Sequence, residues 1–277
     1  MAQELAEVLK SALALTPEAR QELARTLLNS LPPGGLLGEP EWIAPHRKHA
    51  LAGLKRAGRP GFMEAWFRPG SPIPTTTQAE LVRAVEKAAI HAFGWPIGIV
   101  LHTQQGSPKP MADGIVAEIS GIDSSYDYWA LRTTGDFYFL GSLFEDERAQ
   151  QALWFDTRVW RVTEVFLFCY RLYCALGLSD DSSVTLSIRH GGLRGRVLGS
   201  ARPAIWAPGR TSLEEEVTWT GDLQLSSVKT GIQDRVRNAL RPLFILFDFF
   251  QPQDSVFKSH IEEFLGKVAS QQKPFEL

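Results

Sequence analysis

Apolar residues recur along this chain with two periods, and the change from one to the other marks out its elements. Between Thr157 and Leu176 the positions Val159, Val162, Val165, Phe166, Cys169, Leu172 and Tyr173 recur at three and four residues, the period of a helix. Few charges interrupt them, which predicts a helix packed on more than one side. Ahead of it, Ile115 to Ile119, Tyr126 to Thr133 and Asp136 to Leu143 alternate well enough to predict antiparallel strands, with a turn at Thr134-Gly135. Phe62 to Arg68 reads as another strand, and WPIGIVLHT as a buried strand centred on Ile97 to Leu101. Ser142 to Glu147 passes into an acidic loop.

The remaining elements are set by caps and breakers. Thr77 followed by Glu80 is a capping box, and it opens a helix through Phe93 with Leu81, Val82, Val85, Ala88 and Ala89 on its buried side. Residues 184 to 200 predict a β-hairpin turning at His190-Gly191-Gly192, and Glu215 to Thr220 a further strand. A helix capped by Ser226 or Ser227 follows, with a kink expected at Pro242; Pro252-Gln253-Asp254 starts a last amphipathic helix. At the other end, two short helices are expected over residues 2 to 30, the second opened by Thr16-Pro17 and closed by the Leu31 to Gly35 linker. Residues 42 to 57 predict a third helix with a basic face. The class is therefore α+β: a mainly antiparallel sheet packed against two or three long helices, with a helical N-terminal extension over 1–57 and the main domain over 58–277.

Composition narrows this picture without redirecting it. With 44% hydrophobic and 22% charged residues the chain reads as an ordinary globular protein. A net charge of −2 leaves no global attraction to nucleic acid or membrane, so any such binding needs a local patch. MAQELAEVLK carries acids and lacks a continuous apolar run, so no signal peptide is expected, and no run reaches the ~20 residues a bilayer requires. The two cysteines, Cys169 and Cys174, are five apart within one predicted helix and point in different directions. A cytoplasmic protein without disulfides is the expectation.

The richest local chemistry lies between Ser182 and Leu213. This segment holds Arg189, His190, Arg194, Arg196, Arg202 and Arg210 and contains no Asp, Glu or Lys. Arginine forks suit phosphate and carboxylate, and Gly191, Gly192 and Gly195 would let such a group approach the backbone. The competing reading pairs these arginines internally with the acidic runs Glu145-Asp146-Glu147 and Glu214-Glu215-Glu216. His46 and His49, three apart on a helix, could share a metal, but no acid or cysteine stands at helical spacing to complete the set. HGGL suggests an oxyanion segment, yet no G-x-S-x-G elbow occurs. A hydrolase or nuclease would need Asp113, Glu118 and a histidine to converge in one cleft. Trp129, Trp154, Trp160 and Trp219 could stack on bases, although their spacing places them in the core. Neither GxxxxGKS nor GxGxxG is present, and no cofactor is expected.

Several segments together carry a resemblance. Phe93 to His102, Tyr126 to Arg132, Ser142 to Glu147, Arg189 to Arg196 and Pro242 to Phe250 resemble the C-terminal region of bacterial DNA-binding proteins that carry an AlbA/Schlafen-type domain in front. The similarity spans roughly residues 60 to 268, and helices over residues 2 to 57 are expected where those proteins carry the upstream domain. Leu15 to Leu31 resembles the N-terminal helical segment of bacterial addiction-module components. The resemblance implies a bacterial regulatory, toxin–antitoxin or defence setting. Three functions remain open: a non-enzymatic binding or scaffolding module with a protein partner; a nucleic-acid or phospholigand binder acting through the arginine-rich segment; and a hydrolase or nuclease. Self-association is compatible with each.

Overall fold

A computed structural model of the chain describes residues 11–12, 14–16, 19–20, 39–103, 106–122, 125–149, 151–201 and 209–271. It divides into two compact units, Met1–Glu41 and Trp42–Leu277. In the first, the Ala19 amide donates to the Thr16 hydroxyl at 3.3 Å and the Arg20 amide to the Thr16 carbonyl at 2.9 Å, so Thr16 caps as its side chain predicts. The rest of the two helices expected over 2 to 30, and the Leu31 to Gly35 linker, lie outside the described residues.

The second unit opens with α1 (Ile43–Arg56). Its pattern placed this helix in the N-terminal extension, but Ile43, Ala50 and Leu54 are buried with Phe62, Trp66, Tyr126, Tyr138 and Leu140 of the sheet. The boundary between the units accordingly falls at 41/42 rather than 57/58. Seven strands follow in the order β2-β3-β4-β5-β1-β7-β9, every neighbouring pair antiparallel. They are β1 (Phe62–Pro69), β2 (Lys109–Met111), β3 (Gly114–Ile122), β4 (Ser125–Arg132), β5 (Phe137–Ser142), β7 (Ser183–Gly191) and β9 (Glu216–Gln224).

Three layers result. One face of the sheet presents Met63, Ala65, Phe67, Trp129, Leu131, Phe137, Leu186 and Ile188 to a helical layer. That layer comprises α2 (Gln78–Ala88), α3 (Phe155–Ala175), α4 (Ser226–Ile245) and α5 (Asp254–Gln271). The other face presents Phe62, Trp66, Tyr126, Tyr128 and Tyr138 to α1. Central strands covered on both sides lose the clean alternation of a half-exposed strand, which is why β1 reads as a near-continuous apolar run. Buried Phe155, Val159, Val162, Phe166, Phe168, Cys169, Leu172 and Tyr173 make α3 the centre of the core, each large side chain stabilising by roughly 1.5–3 kcal/mol. The capping box of α2 forms as predicted: the Glu80 amide donates to the Thr77 hydroxyl at 3.3 Å while the Glu80 carboxylate accepts from the Thr77 amide at 2.8 Å.

Four expectations are corrected. Residues 97 to 101 are buried or half-buried but form no strand. Side chains pair with two of their backbone groups instead: the Ile97 amide donates to Glu164 at 2.9 Å and the Ile99 carbonyl accepts from the Trp129 indole at 2.9 Å. Residues 184 to 200 form no hairpin either. Both edges of β7 are taken, by β1 and β9, so β8 (Val197–Gly199) pairs in parallel with β6 (Ala152–Trp154) in a separate two-stranded sheet. The helix opened by Thr77 stops at Ala88, short of Phe93. In α4 the non-helical residue is Gly231, at φ −142° and ψ 29°, while Pro242 is accommodated within the helix.

Candidate functional site

The arginine-rich segment is dispersed by the fold. Arg196 is buried, donating to the Gly192 carbonyl at 2.6 Å, to the Ala152 carbonyl at 2.9 Å and to Asp146. His190 is buried on the helical face, and burial together with the positive charge of Arg158 holds its imidazole well below its ordinary range. Arg189 lies on the opposite face, donating to Thr218 at 3.1 Å, with Glu64 at 3.7 Å and Glu216 at 3.8 Å. Arg194 is exposed, 3.8 Å from Glu215. Arg210 donates to the Asp248 carbonyl at 3.1 Å and stands over the Phe250 ring. Arg202 lies outside the described residues. The acidic runs therefore supply much of the pairing, and the side chains do not converge.

The pairing also corrects the acidic loop. Phe144–Glu147 is a 3₁₀ turn in which Glu145 and Asp146 are buried. Glu145 accepts from Arg158 at 2.9 Å and from the Trp154 amide at 2.9 Å; Asp146 accepts from Arg196 and from the Gly61 amide at 2.8 Å. The signal in the sequence was Arg158, a cation within a helix otherwise destined for the core, which demands a buried acid.

A different group of residues does converge. Glu118 and Tyr126 point to the α1 side of β3 and β4, and α1 presents His46 and His49 to them. His46 Nδ1 lies 2.6 Å from the Tyr128 hydroxyl, and His49 Nε2 lies 2.8 Å from Glu118 Oε2. The other oxygen of Glu118 accepts from the Tyr126 hydroxyl at 3.1 Å and from Arg56 at 3.4 Å. Burial lowers the His46 pKa and raises those of Tyr126 and Tyr128. Over this network opens a cleft of about 520 Å³ lined by His49, Arg56, Ser107, Lys109, Ser120 and Tyr128. Lys109 comes from the edge strand β2, opposite Val116, and has no partner among the described residues.

Deeper under α1, Arg47 grips Glu64 Oε1 through Nε at 2.7 Å and Nη2 at 2.6 Å. Burial raises the Glu64 pKa in spite of Arg47. Glu64 Oε2, the Tyr138 hydroxyl and the Trp42 indole N–H are buried without a hydrogen bond from the described residues.

His46 and His49 thus turn to Tyr128 and Glu118, and among the described residues there is no group of three His, Cys, Asp or Glu that could hold a metal. Glu118 and a histidine do meet in one cleft, whereas Asp113 pairs with Arg132 at 2.7 Å. Trp129 and Trp160 donate to backbone carbonyls, and Trp219 packs against Phe166, all as packing residues. Cys169 is buried and Cys174 exposed, both free. No helix of the described residues is long and apolar enough to cross a membrane. No family model, curated protein or solved structure matches the chain.

Proposed function

We propose that the chain is a non-enzymatic binding module that holds an anionic group in the cleft between α1 and β3. The observation that carries this reading is the convergence of Arg56, Lys109 and His49 on one opening, with Lys109 unpaired among the described residues. Arginine and lysine there offer charge-assisted donors to a phosphate or carboxylate, and Ser107, Ser120 and Tyr128 add hydroxyls. The contacts of Glu118 with His49, Tyr126 and Arg56 hold the floor of the cleft in place before any ligand arrives, which lowers the entropic cost of binding. The setting, a bacterial regulatory, toxin–antitoxin or defence assembly in which the module scaffolds a protein partner, rests on the sequence resemblance.

Titration calorimetry with inorganic phosphate and with malonate tests the reading. Binding should weaken with added salt, and Lys109→Ala with Arg56→Gln should weaken it about tenfold or more. Affinity unchanged in that double variant would sink the proposal.

A second reading draws on the His49–Glu118 contact, in which a carboxylate orients an imidazole beside Ser107 and Ser120, the arrangement general-base catalysis uses. It predicts hydrolysis of an ester probe that disappears in both His49→Ala and Glu118→Gln. Activity that survives either change excludes it.

A further inference from the structure

We propose that a second pocket, between α4 and α5, binds a planar ring carrying one anionic group. The pocket encloses about 300 Å³, which suits a single-ring ligand. Its inner wall is aromatic: the Phe244 ring stands 6.1 Å from Phe257 and 6.1 Å from Phe250. Phe250 meets Phe244 edge-on and Phe257 meets it at a tilt, an apolar wall against which another ring can pack.

The rim carries two cations, Arg237 and Arg241, and one acid, Asp254. Arg241 and Asn238, three residues apart on α4, both line the pocket, and neither has a hydrogen-bond or ion-pair partner among the described residues. Arg237 is already held by Asp234 at 2.7 Å and by Asp254 at 2.8 Å. Arg241 is therefore the lining cation available to an anion, with the Asn238 amide as a neutral donor beside it.

The lip of the pocket is strained. Asp248 and Phe249 are consecutive non-glycine residues in the left-handed region, at φ 51° and 55°. Their turn sets Phe250 against Phe244 and is tied down by Arg210, which donates to the Asp248 carbonyl and stands 5.2 Å from the Phe250 ring centre. Such strain persists where surrounding contacts over-determine it, and it collects at ligand clamps.

Fluorine NMR on the full chain tests the proposal with three probes: para-fluorobenzoate, para-fluorophenyl phosphate and the neutral para-fluorobenzyl alcohol. At least one anionic probe should bind, the tighter of the two identifying carboxylate or phosphate as the preferred group, and the alcohol should not. Arg241→Gln should weaken binding about tenfold, the loss of one charge-assisted contact. Arg83→Gln on α2 should leave it unchanged, as should Lys109→Ala, which separates this pocket from the α1 cleft. Arg241 is exposed, so the variant should keep its melting temperature. Equal affinity in Arg241→Gln, binding of the alcohol as tight as that of benzoate, a loss confined to Lys109→Ala, or binding of neither anion would each overturn it.

Discussion

Asp127 is buried on β4, on the face toward α3, and its pKa is pushed up to about 7 by burial, partly offset by Arg161 and reinforced by Glu164. Its folded value lies above the ordinary 3.8, so the unfolded chain gives up this proton first as pH rises. Stability contributed by the protonated acid is therefore complete at low pH and is lost between about pH 4 and pH 7, by on the order of 4 kcal/mol. Asp127→Asn should match the wild type near pH 4 and exceed it above pH 7 in urea unfolding, and an unchanged pH slope would refute this. Arg196 carries the opposite lesson. Arg196→Ala strands Asp146 in the core and should destabilise by about 3–5 kcal/mol, while Asp146→Asn with Arg196→Met should recover much of that in thermal melts. The chemistry of single residues was legible in the sequence, but their surroundings were not. Arg189, Arg194 and Arg196 are neighbours in the chain, yet the fold sends Arg196 into the core and leaves Arg194 in solvent.

Among the elements, α1 and α2 show which signals survive folding. The α2 capping box is a local motif, closed within four residues, and it forms as written; Thr77→Ala should cost about 1 kcal/mol in urea unfolding. The docking of α1 depends instead on one glycine. A Cβ at Gly53 would stand 2.2 Å from the Tyr126 hydroxyl, so that glycine sets how closely the helix approaches the sheet. Helix propensity alone would favour Gly53→Ala by up to about 1 kcal/mol. We expect the substitution to destabilise nevertheless and to weaken the Tyr126–Glu118 hydrogen bond, with the change read as a lower unfolding midpoint and altered tyrosine resonances. Strand partners lay beyond any local signal. Nothing within residues 184 to 200 announces that β7 is a central strand whose edges are already occupied.

At the scale of the whole molecule, the unit beginning at Trp42 carries its own three-layer core. Residues 42–277 expressed alone should melt in one cooperative transition; a broad, non-cooperative melt would show that the first unit is required for folding. Burial on both faces of β1 also accounts for the weak alternation of that strand.

Hydrophobic periodicity, turn glycines and the capping box by themselves determined the α+β class, the long core helix, most of the antiparallel strands and the turn at Gly135, because each is encoded over a few neighbouring residues. Only the tertiary structure decided which strands lie side by side, that Glu145 and Asp146 are core acids, and that His49, Arg56, Lys109 and Glu118 share a cleft. His49 and Arg56 come from one helix, Lys109 and Glu118 from a pair of consecutive strands far along the chain, and a site assembled by packing two distant segments leaves no spacing to read.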